Sequence, residues 1–101
     1  MTFRDASKEF ELDCKVRHLS PKTIGNYTKQ LRYLENYLSS EFSVLNIEDV
    51  KPAHIKSFMA KMDDAGRKPQ YINDLLKVFK TFFTYLETEG YIKVSPAKRM
   101  H

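Results

Sequence analysis

Two stretches of this chain carry, at helical spacing, the side-chain types that contact nucleic acid. In the first, Lys22, Thr23, Asn26, Lys29 and Gln30 fall opposite an apolar set. In the second, Gln70, Asn73, Asp74, Lys77, Lys80, Thr81 and Thr84 do the same. Amides and hydroxyls bond to base edges, and ammonium groups bond to phosphate oxygens. The acidic residues of the second stretch, Glu87 and Glu89, gather at its far end. An ordinary solvated helix face has a similar make-up, so the pattern nominates these positions without assigning them.

Other chemistry finds less support. Cys14 is the only cysteine, lies on an apolar face and has no histidine placed near it, so it reads as packing and not as a nucleophile. A lone cysteine also excludes an intramolecular disulfide and suits a reducing cytoplasm. His18, His54 and His101 are far apart and show no metal-ligand spacing. No pair of titratable groups is set on an apolar background, as an acid–base pair would require. Neither a cofactor nor a metal is expected. His54, in the first turn of a helical stretch, reads as a solvated residue, and Tyr27 belongs to an apolar stripe. Gly25 interrupts a helical pattern at a cost of about 1 kcal/mol relative to Ala. It reads as a tolerated surface glycine, or as a point where a phosphate meets the backbone.

The elements that would position these residues follow from punctuation and periodicity. Pro21, Pro52, Pro69 and Pro96 each precede a helical pattern, where a first-turn proline forfeits no hydrogen bond. Gly66 and Gly90 follow such patterns, where a positive φ closes a helix. The first helix is predicted over about Thr2 to Arg17, with Phe3, Ala6, Phe10 and Cys14 on one face. The second starts at Ser20 as N-cap and presents Ile24, Tyr27, Leu31, Leu34 and Leu38 before ending near Ser40. The loop from Phe42 to Lys51 carries Val44, Leu45, Ile47 and Val50 to pack back onto the domain. The third helix spans about Pro52 to Ala65. The fourth, Pro69 to Glu89, places Ile72, Leu75, Leu76, Phe79, Phe82, Phe83 and Leu86 on one broad stripe. Ser95-Pro96 opens either a short terminal helix or a linker.

Composition agrees with a single globular domain. The 101 residues leave no room for a second core, and 42% are apolar, with seven Phe and six Tyr as bulky core material. No apolar run approaches the roughly 18 residues of a membrane span, and no signal peptide is visible. The formal charge of +4 permits nucleic-acid binding without demanding it. Its surplus lies on the two long helical stretches and the tail.

Leu19-Ser20-Pro21-Lys22-Thr23-Ile24-Gly25-Asn26-Tyr27, followed by Leu31 and Leu34, resembles the opening of the core-binding domain in tyrosine recombinases of the phage integrase family. Ile72-Asn73 through Leu76, then Phe82-Phe83-Thr84-Tyr85-Leu86, Glu89-Gly90-Tyr91-Ile92 and Ser95-Pro96-Ala97, resembles that domain's last helices. The resemblance implies an all-α, SAM-like bundle of four to five helices that forms half of a clamp around double-stranded DNA. Its second and fourth helices would lie across the major groove. Carried onto this chain, Lys22, Thr23, Asn26 and Lys29 are the DNA-binding positions of the second helix, and Lys77, Lys80 and Thr81 those of the fourth. Asp74 departs from the family's frequent basic choice, and Lys51 replaces the usual small hydroxyl cap of the third helix.

The resemblance further implies residues 1–94 as the DNA-binding domain and 95–101 as the start of a linker towards an absent catalytic domain. The family's arginine–lysine–histidine–arginine set and nucleophilic tyrosine belong to that domain, so no catalytic residue is assigned and the chain is not expected to be an enzyme. The implied partners are double-stranded DNA, the missing catalytic domain and other recombinase protomers, with no membrane and a cytoplasmic location. A helical protein-interaction module, its basic face serving solubility alone, is the competing reading.

Overall fold

In the computed structural model, residues 1–100 are described and form four α-helices and one short 3₁₀ turn; His101, the end of the expected linker, lies outside the described residues. Helix α1 runs Phe3–Val16, α2 Pro21–Phe42, α3 Pro52–Asp64 and α4 Pro69–Thr88. Each starts for a local reason. The Thr2 hydroxyl accepts the Asp5 N–H at 3.1 Å, and the Ser20 hydroxyl accepts the Thr23 N–H at 3.1 Å, so both satisfy donors left free at a helix start. Proline occupies the first turn of α2, α3 and α4.

The helix ends share a device that the residue types only half announce. After α1 the His18 N–H returns to the Lys15 carbonyl and the Leu19 N–H to that of Cys14, a Schellman closure with His18 at φ 61°. Gly66 and Gly90 close α3 and α4 in the same way, at φ 79° and 81°. Ser43, at φ 54°, ends α2, which therefore runs to Phe42 and beyond its expected end near Ser40.

Helices α2 and α4 each pack against all three other helices, so they form the middle of an all-α bundle. Six phenylalanines are buried in the core. Phe3 and Phe10 from α1 meet Phe82 at centroid distances of 5.2 and 5.5 Å, while Phe58 from α3 meets Phe79 at 5.6 Å. Leu31, Leu34 and Leu38 of α2 and Leu75 and Leu86 of α4 complete it. The expected stripes of α1 and α4 are thus the buried ones, except that Ile72 and Leu76 are only half-buried.

In the segment between α2 and α3, Ile47 and Val50 are buried while Leu45 stays exposed. Its backbone ties down the N-terminus: the Phe3 N–H donates to the Leu45 carbonyl at 2.8 Å, and the Ile47 N–H to that of Met1 at 3.0 Å. Ser95 to Met100 form a turn and not a fifth helix. Ala97 and Met100 are buried, and Glu87 accepts the Ser95 N–H at 2.7 Å while pairing with Lys98 at 3.9 Å.

Candidate nucleic-acid interface

The outward side of α2 is fixed by what the helix buries. Ile24, Leu31, Leu34 and Leu38 face the core and Tyr27 stacks on Phe10 at 5.8 Å. Lys22, Asn26 and Lys29 are left exposed, and Thr23 is half-buried on the flank. On α4, burial of Leu75, Val78, Phe79, Phe82 and Leu86 leaves Lys77 and Thr81 exposed and Lys80 half-buried. Because α2 packs directly on α4, both sets belong to neighbouring helices.

Gln30 is a correction. It was expected outward with Asn26 and Lys29, yet it is only 6% exposed, and its Oε1 has no hydrogen-bond partner. Its place between Lys29 and Leu31 puts it on the flank of α2, where the neighbouring helices cover it. His54 is a second correction: its Nδ1 accepts the Lys51 N–H at 3.0 Å, and its ring lies 4.7 Å from that of Phe42. It supplies the start of α3 with the acceptor that Lys51 cannot.

The hydroxyls differ in what remains available. The Thr23 Oγ1 accepts from Ser20 at 2.9 Å, so its own proton is free to donate outward. The Thr81 hydroxyl donates to the Lys77 carbonyl at 2.9 Å and in that rotamer only accepts. Asp74 accepts from Gln70 at 3.0 Å and puts an acidic group beside the α4 cations.

Charge placement on α2 and α4 does not serve helix stability. Neither has an acidic residue in its first turn, where the helix dipole favours one. Lys22 stands in the first turn of α2, and Arg67 and Lys68 precede α4. Among the described residues the ion pairs take up other cations: Arg4 with Glu35, Lys15 with Glu11, Arg17 with Asp13 and Lys98 with Glu87. Lys22, Lys29, Lys77 and Lys80 have no carboxylate partner there. Of these only Lys22 stands at the positive end of its helix, where its charge and the helix dipole together attract anions.

Two surface grooves gather some of these residues with others that the helical spacing did not single out. One joins Lys80 and Thr81 of α4 to Arg17 and Asp13 at the end of α1. The other, an open groove of about 870 Å³ between α1 and α2, joins Lys29 to Arg32 and Lys15. Arg32 follows Lys29 by three residues, which is the signal that would have marked it. Lys22, Thr23 and Asn26 line neither groove and stand along the first turns of α2.

Among the described residues, neither Cys14 nor Tyr85 is activated as a nucleophile. Burial pushes the Cys14 thiol above its ordinary value, and burial raises the Tyr85 hydroxyl to about 12. Among the described residues no three His, Cys, Asp or Glu side chains come together to hold a metal, and no helix is long and apolar enough to cross a membrane.

The fold places the chain among small helical bundles, and sequence comparison narrows this. The pattern of the family described as phage integrase, N-terminal SAM-like domain, matches residues 8–90, and the chain belongs to that family. It is similar to the tyrosine recombinase XerC of Chlorobaculum tepidum, 33% identical over 86 residues, covering 80% of this chain and 26% of that protein. The tyrosine recombinase XerC of Thermodesulfovibrio yellowstonii is 30% identical over 76 residues, covering 73% of this chain and 25% of that protein. That of Shewanella putrefaciens is 32% identical over 82 residues, covering 81% and 26%. The chain therefore spans about a quarter of the length of these relatives. No solved structure gives a significant match.

Proposed function

We propose that this chain is a DNA-binding module of a site-specific tyrosine recombinase, which holds duplex DNA through α2 and α4 during integration or recombination. The observation that carries this reading is that Lys22, Lys29, Lys77 and Lys80 stand on two packed helices without carboxylate partners among the described residues, beside exposed Asn26. Lys22, Lys29, Lys77 and Lys80 neutralise phosphates, Thr23 donates to one, and Asn26 meets a base edge. Thr81 serves as an acceptor, or donates after turning away from the Lys77 carbonyl. Residues 1–94 act as the DNA-binding unit, and 95–101 begin the path to a catalytic domain that cuts the strand. Since Ala97 and Met100 are buried, that path starts anchored to the bundle. Other recombinase protomers are the further partners of the assembled complex.

The competing reading, a protein-interaction module, draws on Leu12 and Val16, which are 58% and 69% exposed one turn apart on α1. An amide chemical-shift titration with duplex DNA separates the two. Shifts should concentrate on α2 and α4 and leave Leu12 and Val16 unmoved, with a Kd of about 10⁻⁴–10⁻⁶ M. Affinity should fall with salt, by about 0.9 log units per log unit for each phosphate neutralised. Binding indifferent to salt, or no shifts on α2 and α4, would defeat the reading.

A further inference from the structure

We propose that the groove between α1 and α2 receives one phosphate strand of the bound duplex, with Gly25 as its point of closest approach. This deepens the DNA-binding reading and rests on it. Gly25 lies inside a 22-residue helix, is exposed, and has nothing within 4 Å of where a Cβ would stand. Neither packing nor backbone conformation asks for glycine there, and alanine would favour the helix. The protein alone gives the residue no purpose.

Its surroundings supply one. Gly25 borders the groove, as do Lys29 and Arg32, which follow it at i+4 and i+7 on the same stripe of α2. Neither cation has a carboxylate partner among the described residues. Lys15 lines the opposite wall, held by Glu11 at 3.8 Å, so the walls together carry more positive than negative charge. The Thr28 hydroxyl donates to the Ile24 carbonyl at 2.9 Å and is not offered to a ligand. What the groove offers is a place where a phosphodiester can lie against bare helix backbone while Lys29 and Arg32 reach the phosphates beside it. Asn26, the exposed neighbour of Gly25, then stands beside that strand, where the DNA-binding reading has it meet a base edge. The polyanion that fits is duplex DNA, because Lys29 belongs both to this groove and to the outward face of α2.

The test sets stability against binding. Gly25→Ala and Gly25→Gln are compared with the native chain by thermal melting and by titration with a short duplex DNA. Gly25→Ala should melt several degrees higher, yet bind about threefold to tenfold more weakly, because the added methyl group holds the phosphate strand off the helix backbone and away from Lys29 and Arg32. Gly25→Gln, which is bulkier and still a helix former, should bind more weakly again. Arg32→Gln should lower the salt slope by about one unit. Both Gly25 variants folding and binding like the native chain would overturn the proposal while leaving the DNA-binding reading intact. A native chain that ignores duplex DNA would remove both.

Discussion

On the proposed DNA-binding reading, side chains on α2 and α4 divide into those that would attract any DNA and those that would choose among sequences. Lys77 is exposed and unpaired among the described residues, and its proposed contact is with a phosphate. Asn26 is exposed on α2 and has the donor and acceptor that a base edge requires. Replacing either by Ala should leave stability within about 0.5 kcal/mol, since neither supports the core. Lys77→Ala should weaken binding to all sequences alike and flatten the salt slope by about one unit. Asn26→Ala should cost about 1–3 kcal/mol, and only on a preferred sequence. Full affinity in both folded variants, measured across salt and sequence, would count against α2 and α4 as the binding helices. The free hydroxyl proton of Thr23 and the committed one of Thr81 make the two threonines unequal, a distinction that residue type cannot make.

At the scale of the element, helix ends and helix faces obey different rules. The expected starts at Thr2, Ser20, Pro52 and Pro69 lie within a residue of the observed ones, because caps and prolines act locally. The end of α1 lies within a residue of its expected place and that of α2 two residues beyond, where His18 and Ser43 take the positive φ that Gly66 and Gly90 advertise. A left-handed conformation strains an L residue by about 1–2 kcal/mol. His18→Gly should therefore stabilise the chain by up to about 1 kcal/mol, after allowing for glycine's extra freedom when unfolded. Phe79→Ala should do the opposite. Phe79 is 0% exposed and packs on Phe58, so its loss should cost about 3–5 kcal/mol by chemical denaturation. A thermally neutral Phe79→Ala would mean that α4 faces the other way.

Over the whole molecule, the proposed reading is of binding without bond cleavage. Of the six tyrosines, Tyr85 has its hydroxyl raised by burial, contrary to what a nucleophile needs. The chain incubated with supercoiled DNA should neither nick nor relax it, and gel analysis should show no covalent protein–DNA product. Such a product would contradict its reading as a binding module alone. The turn Ser95–Met100 also matters at this scale: clipped by Glu87 and buried through Ala97 and Met100, it is docked against the bundle.

The sequence by itself determined the helices, their starts and the apolar stripes of α1 and α4, because periodicity and caps are properties of neighbours along the chain. Family membership was legible too, in the motifs from Leu19 to Tyr27 and from Phe82 to Ala97. Only the tertiary structure decided that Gln30 is covered, although its spacing matches that of exposed Asn26, since a helix flank is buried or free according to what packs on it. It likewise decided that His54 caps α3 and rests against Phe42, and that Ser95 to Met100 return to the core. Those outcomes depend on groups distant in sequence, or on a rotamer, and neither leaves a mark on local residue pattern.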